Sequence, residues 1–139
     1  MALNHDLEGK TYPPVRFRLE ETRVRAFADA LGHRGPGVPP TMVTVPEIEA
    51  GLSNVVSDPE LGVDLARILH GEQEYVWARP AALGEVLTAE STIESIRGKG
   101  GMQLVSLRSE RREEAAPHDP RLAMCSMMPV VETDGVRGR

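Results

Sequence analysis

Four histidines, one cysteine and a pair of closely spaced glutamates are the residues of this chain best suited to proton transfer or nucleophilic attack. His33 stands in Leu31-Gly32-His33-Arg34, and an imidazole that titrates near neutrality is a natural general base. The plainer reading is a solvated histidine interacting with the dipole at a helix C-terminus. His70 lies in a strand-like segment, where a structural hydrogen-bonding role is the simpler expectation. His5 and His118 occupy terminal or loop contexts with no partner nearby in sequence. Glu47 and Glu49 fall on a predicted helix and could activate a water, although Glu47 also has the spacing of a helix cap. Cys125 sits among Met124, Met127 and Met128, a cluster that suits core packing and equally the wall of an apolar tunnel. Arg97 and Lys99 flank a glycine-rich turn, where they can meet a phosphate or simply face water. No spacing of His, Cys and Asp resembles a metal site, and no cofactor is expected.

These residues must be positioned by elements that the hydrophobic pattern reveals. Residues 20–31 place Val24, Phe27, Ala28 and Leu31 at helical spacing on one face, and Gly32 follows at the boundary where a left-handed residue is favoured. The Gly35-Pro36-Gly37-Val38-Pro39-Pro40 stretch can be neither helix nor central strand. Behind it, Thr44-Val45-Pro46-Glu47 has capping-box spacing and predicts a helix from Thr44 to about Val56. That helix is apolar on most sides (Val45, Ile48, Leu52, Val55, Val56) and should be buried all round. Residues 60–68 suggest one more short helical piece.

From residue 69 the period changes to two. Glu72 to Arg79 reads as a strand closed by Pro80, and residues 86–96 put Leu87, Ala89, Ser91 and Ile93 on one face. Gly98-Lys99-Gly100-Gly101 signals a turn into a hairpin partner from Met102 to Arg112. Ala115 to Pro120 reads as a loop, Leu122 to Val131 as a last strand and Val15 to Leu19 as an edge strand. Residues 133–139 read as a polar, disordered tail. Helices followed by antiparallel strands make an α+β domain. One buried helix wrapped by a curved antiparallel sheet of about five strands, the hot-dog fold, satisfies the burial pattern. Such a sheet leaves an edge that dimerisation would cover.

Composition narrows the function classes. The 139 residues suit a single domain spanning 1–139. No run approaches the ~18 apolar residues of a membrane span. No basic stretch followed by an apolar one marks a secretory signal, and a single cysteine fits a reducing compartment, so a cytoplasmic location is expected. A net charge of −5 argues against general nucleic-acid binding. Fourteen of the sixteen basic residues are arginine, a bias that a GC-rich genome explains.

Several segments together resemble the MaoC-like dehydratase family, in particular its N-terminal-type domains and short stand-alone subunits. They are Leu7-Glu8-Gly9-Lys10-Thr11-Tyr12 with Phe27-Ala28-Asp29-Ala30-Leu31-Gly32, then Val38-Pro39-Pro40-Thr41-Met42. The third is His70-Gly71-Glu72-Gln73-Glu74-Tyr75 with Arg79-Pro80 and Gly84-Glu85-Val86-Leu87. With Lys99-Gly100-Gly101 they cover most of residues 7–131. The resemblance implies hydration of trans-2-enoyl thioesters, or dehydration of (R)-3-hydroxyacyl thioesters, by an Asp and a His in a Gly-Asp-x-Asn-Pro-x-His segment. It also implies N–H groups near the hot-dog helix that polarise the thioester carbonyl.

Laid on this chain, that segment becomes Gly32-His33-Arg34-Gly35-Pro36-Gly37-Val38. His33 takes the Asp position and Val38 the His position, and the stretch that usually precedes Pro-Pro-Thr is missing. Catalysis therefore does not carry over. Pro40, Thr41 and Met42 remain candidates for the acyl pocket, and Arg97 and Lys99 for a CoA phosphate.

Three functions follow as expectations. The first is a non-catalytic subunit of a heteromeric (R)-specific enoyl-CoA hydratase or 3-hydroxyacyl-thioester dehydratase. A MaoC-type hot-dog partner would supply Asp and His, and the carrier would be CoA or acyl carrier protein. The second is a homodimeric acyl-thioester binding module. The third is a thioesterase using Glu47 or Glu49. No nucleic acid and no membrane is expected as a partner.

Overall fold

The computed structural model describes residues 3–113 and 123–132, the latter by backbone alone. Five antiparallel strands form one sheet: β1 (Val15–Arg18), β2 (Ile68–Trp77), β3 (Val86–Lys99), β4 (Met102–Glu113) and β5 (Ala123–Glu132), in the order β1-β3-β4-β5-β2. Helix α1 (Glu21–Leu31) follows β1. The central helix is built in three consecutive pieces, α2 (Thr44–Glu47), a π-helical turn (Ile48–Leu52) and α3 (Ser53–Ser57), after a 3-10 turn at Pro40–Val43. This is the expected helix on a five-stranded antiparallel sheet. The loop expected at Ala115–Pro120 and the tail from 133 lie outside the described residues.

Period-two alternation drives β3 against the helix. Leu87, Ala89, Ser91 and Ile93 are all fully buried, as their spacing requires. A bulge between Ile93 and Ser95 then shifts the register, so that Ile96 rather than Ser95 continues the inner face. Gly100 (φ 59°) and Gly101 (φ 82°) close the β3–β4 hairpin, a pair of left-handed residues that matches the twist of the strands. The paired strands extend through Gly98 and Lys99, so the turn is shorter than the glycine run suggested.

The helix sits very close to the sheet, and Gly51 is the reason it can. A Cβ there would stand 2.9 Å from Ser91 Oγ, and the Ser91 and Ser109 hydroxyls beneath it satisfy each other at 2.5 Å.

Four expectations need correction. Thr44 is not a helix cap: the chain already turns from Pro40, and the Thr44 hydroxyl bonds the Tyr75 hydroxyl instead. The central helix is not buried all round, because Ile48 is 42% exposed and Glu49 and Ser53 also face outward. Leu31 is 58% exposed, since the last turn of α1 runs past the core that holds Val24. The short helical piece is limited to Leu65–Arg67.

The N-terminal segment lines β3 ahead of β1. Gly9 N–H donates to Ile93 C=O (2.7 Å), Ile93 N–H to Lys10 C=O (2.9 Å) and Tyr12 N–H to Ser91 C=O (2.9 Å). That side of the sheet is therefore covered, whereas β2 forms the opposite edge, which no further strand pairs among the described residues. Among the described residues no helix is long and apolar enough to cross a membrane.

Candidate functional site

Two motif segments meet to form a cavity of about 450 Å³. Val38, Pro39 and Pro40 from the loop before the central helix face Trp77 at the end of β2 and Ala78–Ala81 beyond it. Two consecutive prolines with fixed φ stiffen the first wall where it enters the 3-10 turn. The second wall is held by Glu85, whose carboxylate accepts from Arg79 Nη1 (2.7 Å) and from Ala82 N–H (3.0 Å). The Arg-Pro and Gly-Glu motifs thus shape a loop rather than perform chemistry. Gly84 takes φ 85° to reverse the chain there.

The lining is apolar apart from the Arg79 guanidinium, which Glu85 already neutralises. Among the described residues no carboxylate or imidazole lines the cavity. Its volume and character are those of a site for a small apolar ligand.

The two positions where the resemblance places an acid and a base do not come together. Val38 lines the cavity, while His33 lines a separate recess of about 290 Å³ with Glu21, Arg25 and Asp29. Gly32, left-handed at φ 66°, ends α1 and sends His33 N–H back to Ala28 C=O (2.9 Å). Gly35 folds over the imidazole so closely that a Cβ would lie 2.9 Å from it, and Nε2 is buried with no hydrogen-bond partner among the described residues.

Of Pro40, Thr41 and Met42, only Pro40 lines the cavity; Thr41 is exposed and Met42, at 1% exposure, belongs to the core. Arg97 is exposed near the far end of β3. Register relates Trp77 through Ala123 and Arg111 to Ala89, so Arg97 lies eight residues, roughly 25 Å, along the strand from the Trp77 level. Within one chain these two candidate sets are apart. The Lys99 side chain, His118 and the side chains of Cys125 and its neighbouring methionines lie outside the described residues. His70 is exposed beside a bulge in β2 and makes no side-chain hydrogen bond among the described residues. His5 meets Gln103, Nε2 to Nε2 at 3.1 Å.

Behind the aromatic wall lies an arrangement that sequence reasoning missed. Arg111 and Glu47 are both essentially inaccessible to solvent, with Arg111 Nη2 2.9 Å from Glu47 Oε2. Gln73 Nε2 donates to the same oxygen (2.7 Å). The contact is coulombic: no guanidinium nitrogen, and not Glu47 Oε1, has an aligned hydrogen-bond partner among the described residues. Tyr75 stacks on Trp77 with centroids 5.9 Å apart and carries the Arg111 guanidinium 6.0 Å from its own ring centre. A signal was available, since alternation places Gln103, Val105, Leu107, Ser109 and Arg111 on one face of β4 and all are buried. A charge in phase with a buried face demands a counter-charge. Glu47 is therefore an ion-pair partner, not half of a capping box. Glu49 is half-exposed, 3.6 Å from Arg23.

A second polar cluster explains the Gly9-Lys10-Thr11-Tyr12 motif. Lys10 Nζ donates to Asp58 (2.7 Å) and Glu60 (2.9 Å), and Tyr12 Oη donates to Asp58 (2.9 Å). Asp58 ends α3, so the cluster ties the helix terminus to the N-terminal segment. Burial raises the Asp58 carboxyl, but the hydrogen bonds from Lys10, Tyr12 and the Glu60 N–H outweigh it and leave the group below its usual range. Burial and the Asp58 bond push Tyr12 up, and its bonds to Asp58 and Glu60 raise Lys10.

The sequence matches the family described as FAS1-like, dehydratase domain region, over residues 23–116. A UPF0336 protein of Streptomyces coelicolor is 34% identical over 135 aligned positions, covering 85% of this chain and 89% of its own. One from Thermobifida fusca is 31% identical over 135, covering 85% and 88%. Among solved structures, a chain of the C-terminally truncated HadBC (3R-hydroxyacyl-ACP dehydratase) complex from Mycobacterium tuberculosis is similar with a TM-score of 0.73 at 19% identity. The likeness covers 90% of this chain and 97% of that one. A MaoC-like dehydratase is similar with a TM-score of 0.75 at 20% identity, covering 92% of this chain and 43% of its own. The solved structures share the hot-dog fold, a helix on a five-stranded antiparallel sheet, and the family match together with the UPF0336 relatives shows that the chain belongs to the FAS1-like dehydratase-region family.

Proposed function

We propose that this chain is the non-catalytic subunit of a heteromeric (R)-specific enoyl-CoA hydratase or 3-hydroxyacyl-thioester dehydratase. It forms part of the acyl pocket while a MaoC-type hot-dog partner supplies the Asp and the His. The observation that carries the reading is the cavity between Pro39-Pro40 and Trp77: it is roomy and apolar, with Val38 rather than a proton-transfer group in its wall and no acid–base pair among the described residues that line it. Hydration of an enoyl thioester needs a positioned base and acid beside one water, and Val38 can be neither. A fold likeness to a chain of a dehydratase complex supports a partnered role.

The thioesterase alternative finds little support. Glu47 lacks the solvent contact that water activation needs, and Arg111 and Gln73 hold the oxygen it would use. The homodimeric binding module keeps one observation in its favour, the β2 edge left unpaired among the described residues, which a second copy can cover as readily as a different partner.

Co-expression with a hot-dog protein that has an intact Gly-Asp-x-Asn-Pro-x-His segment separates the two. The purified chain alone should not hydrate crotonyl-CoA or longer trans-2-enoyl-CoA above background. The co-purified pair should hydrate them, with longer acyl chains gaining most over the partner alone. Robust turnover by the isolated chain, abolished by His33→Ala, would overturn the proposal. So would a partner whose activity is indifferent to this chain.

A further inference from the structure

We propose that Tyr75, backed by the buried Glu47–Arg111 pair, sets the length of acyl chain this protein accepts. The inference rests on the reading of the cavity as an acyl pocket. It names the residues that stand behind the Trp77 wall and restricts the ligand to apolar chains of limited length.

The Trp77 indole is one wall of the cavity, and Tyr75 stacks against it at 5.9 Å with the rings 30° apart. The Tyr75 ring is fixed at its other end by the hydroxyl pairing with Thr44 on the central helix. Beyond Tyr75 comes the Arg111 guanidinium, 6.0 Å from the ring centre, and then Glu47. An alkyl chain advancing past Trp77 therefore meets a pinned aromatic ring, and behind it a desolvated ion pair. Methylenes offer no hydrogen bond to the guanidinium N–H groups or to Glu47 Oε1, which have no aligned partner among the described residues. Displacing Tyr75 would also break its contacts with Trp77 and Thr44. Growth of the chain is favourable up to this wall and gains nothing beyond it.

Trp77 is the only tryptophan, so its fluorescence reports on the cavity directly. The purified chain is titrated with saturated acyl-CoAs from butyryl to palmitoyl. Affinity should rise about fourfold per added methylene, the equivalent of ~0.8 kcal/mol each, until a break and then stay flat. With Tyr75→Ala also in place, Glu47→Leu/Arg111→Met makes the polar floor apolar at similar volume, a replacement that buried ion pairs usually tolerate, and the break should move to longer chains. Tyr75→Ala, checked for fold by circular dichroism, should move it likewise. An affinity that climbs through palmitoyl without a break overturns the proposal, as does a break unmoved in variants that fold. Absence of binding at any length overturns both this inference and the acyl-pocket reading. Binding with a movable break in a chain that does nothing for a catalytic partner supports the length limit and removes only the subunit role.

Discussion

Arg111 and Glu47 are both essentially inaccessible to solvent, with a guanidinium left short of hydrogen bonds among the described residues. Removing one member strands the other charge in a dry site, which costs about 3–5 kcal/mol, whereas replacing both by apolar side chains is often neutral or stabilising. Arg111→Met alone should therefore lower stability by about that amount, and Glu47→Leu/Arg111→Met should recover most of it. Urea denaturation at neutral pH measures both. Asp58 makes a different prediction. Its folded pKa is depressed, so its stabilisation is present above the ordinary carboxylate value of about 4 and lost as pH falls through the folded value. Tyr12 and Lys10 are raised, so theirs is present below about 10 and lost as pH rises beyond it. Asp58→Asn should cost about 1–3 kcal/mol at pH 7, the range for a buried group losing its partners, and much less at acid pH where the parent has lost the same interaction. A stability difference that stays constant with pH would count against the Lys10–Asp58–Tyr12 cluster.

At the level of elements, the closest approach is that of the central helix to β3 at Gly51. Alanine is the better helix former by roughly 1 kcal/mol. Its Cβ would nevertheless meet Ser91 Oγ at 2.9 Å and Ser91 Cβ at 3.4 Å in a layer with no room to give. Overpacking of this kind costs about 1–3 kcal/mol, so Gly51→Ala should lower the melting temperature despite the gain in propensity. Gly98→Ala is the control: nothing lies within 4 Å of its Cβ and its strand conformation is ordinary, so it should be neutral or slightly stabilising. Equal effects of the two substitutions would show that helix–sheet contact at Gly51 is looser than the geometry indicates.

For the molecule as a whole, the two sides of the sheet are treated differently. β3 is lined by the N-terminal segment and β1, while β2 has one side without a strand among the described residues and carries Leu69 and Val76 at 59% and 50% exposure. An open apolar edge is a site for pairing with another chain. Val76→Lys should leave the fold intact, as exposed substitutions usually change stability by less than about 0.5 kcal/mol. It should also weaken association about tenfold or more, the equivalent of ~1.4 kcal/mol. Size-exclusion chromatography with mass detection at falling concentration reads that change, and a chain that is monomeric at micromolar concentration before substitution would remove the edge-pairing argument.

The sequence by itself determined the elements, because each rests on a local period. The spacing of Val24, Phe27 and Ala28 specifies α1, the alternation from Leu87 to Ile93 specifies β3, and Gly100-Gly101 specifies the hairpin. It also determined that Val38 cannot transfer a proton, a matter of side-chain chemistry alone. Only the tertiary structure decided what meets what. Glu47 and Arg111 are separated by most of the sheet in sequence, and the capping-box spacing at Thr44 offered a local explanation that concealed the non-local one. Local spacing cannot weigh the cost of burying a charge, which depends on what stands across the core, and for Glu47 that is an arginine three strands later.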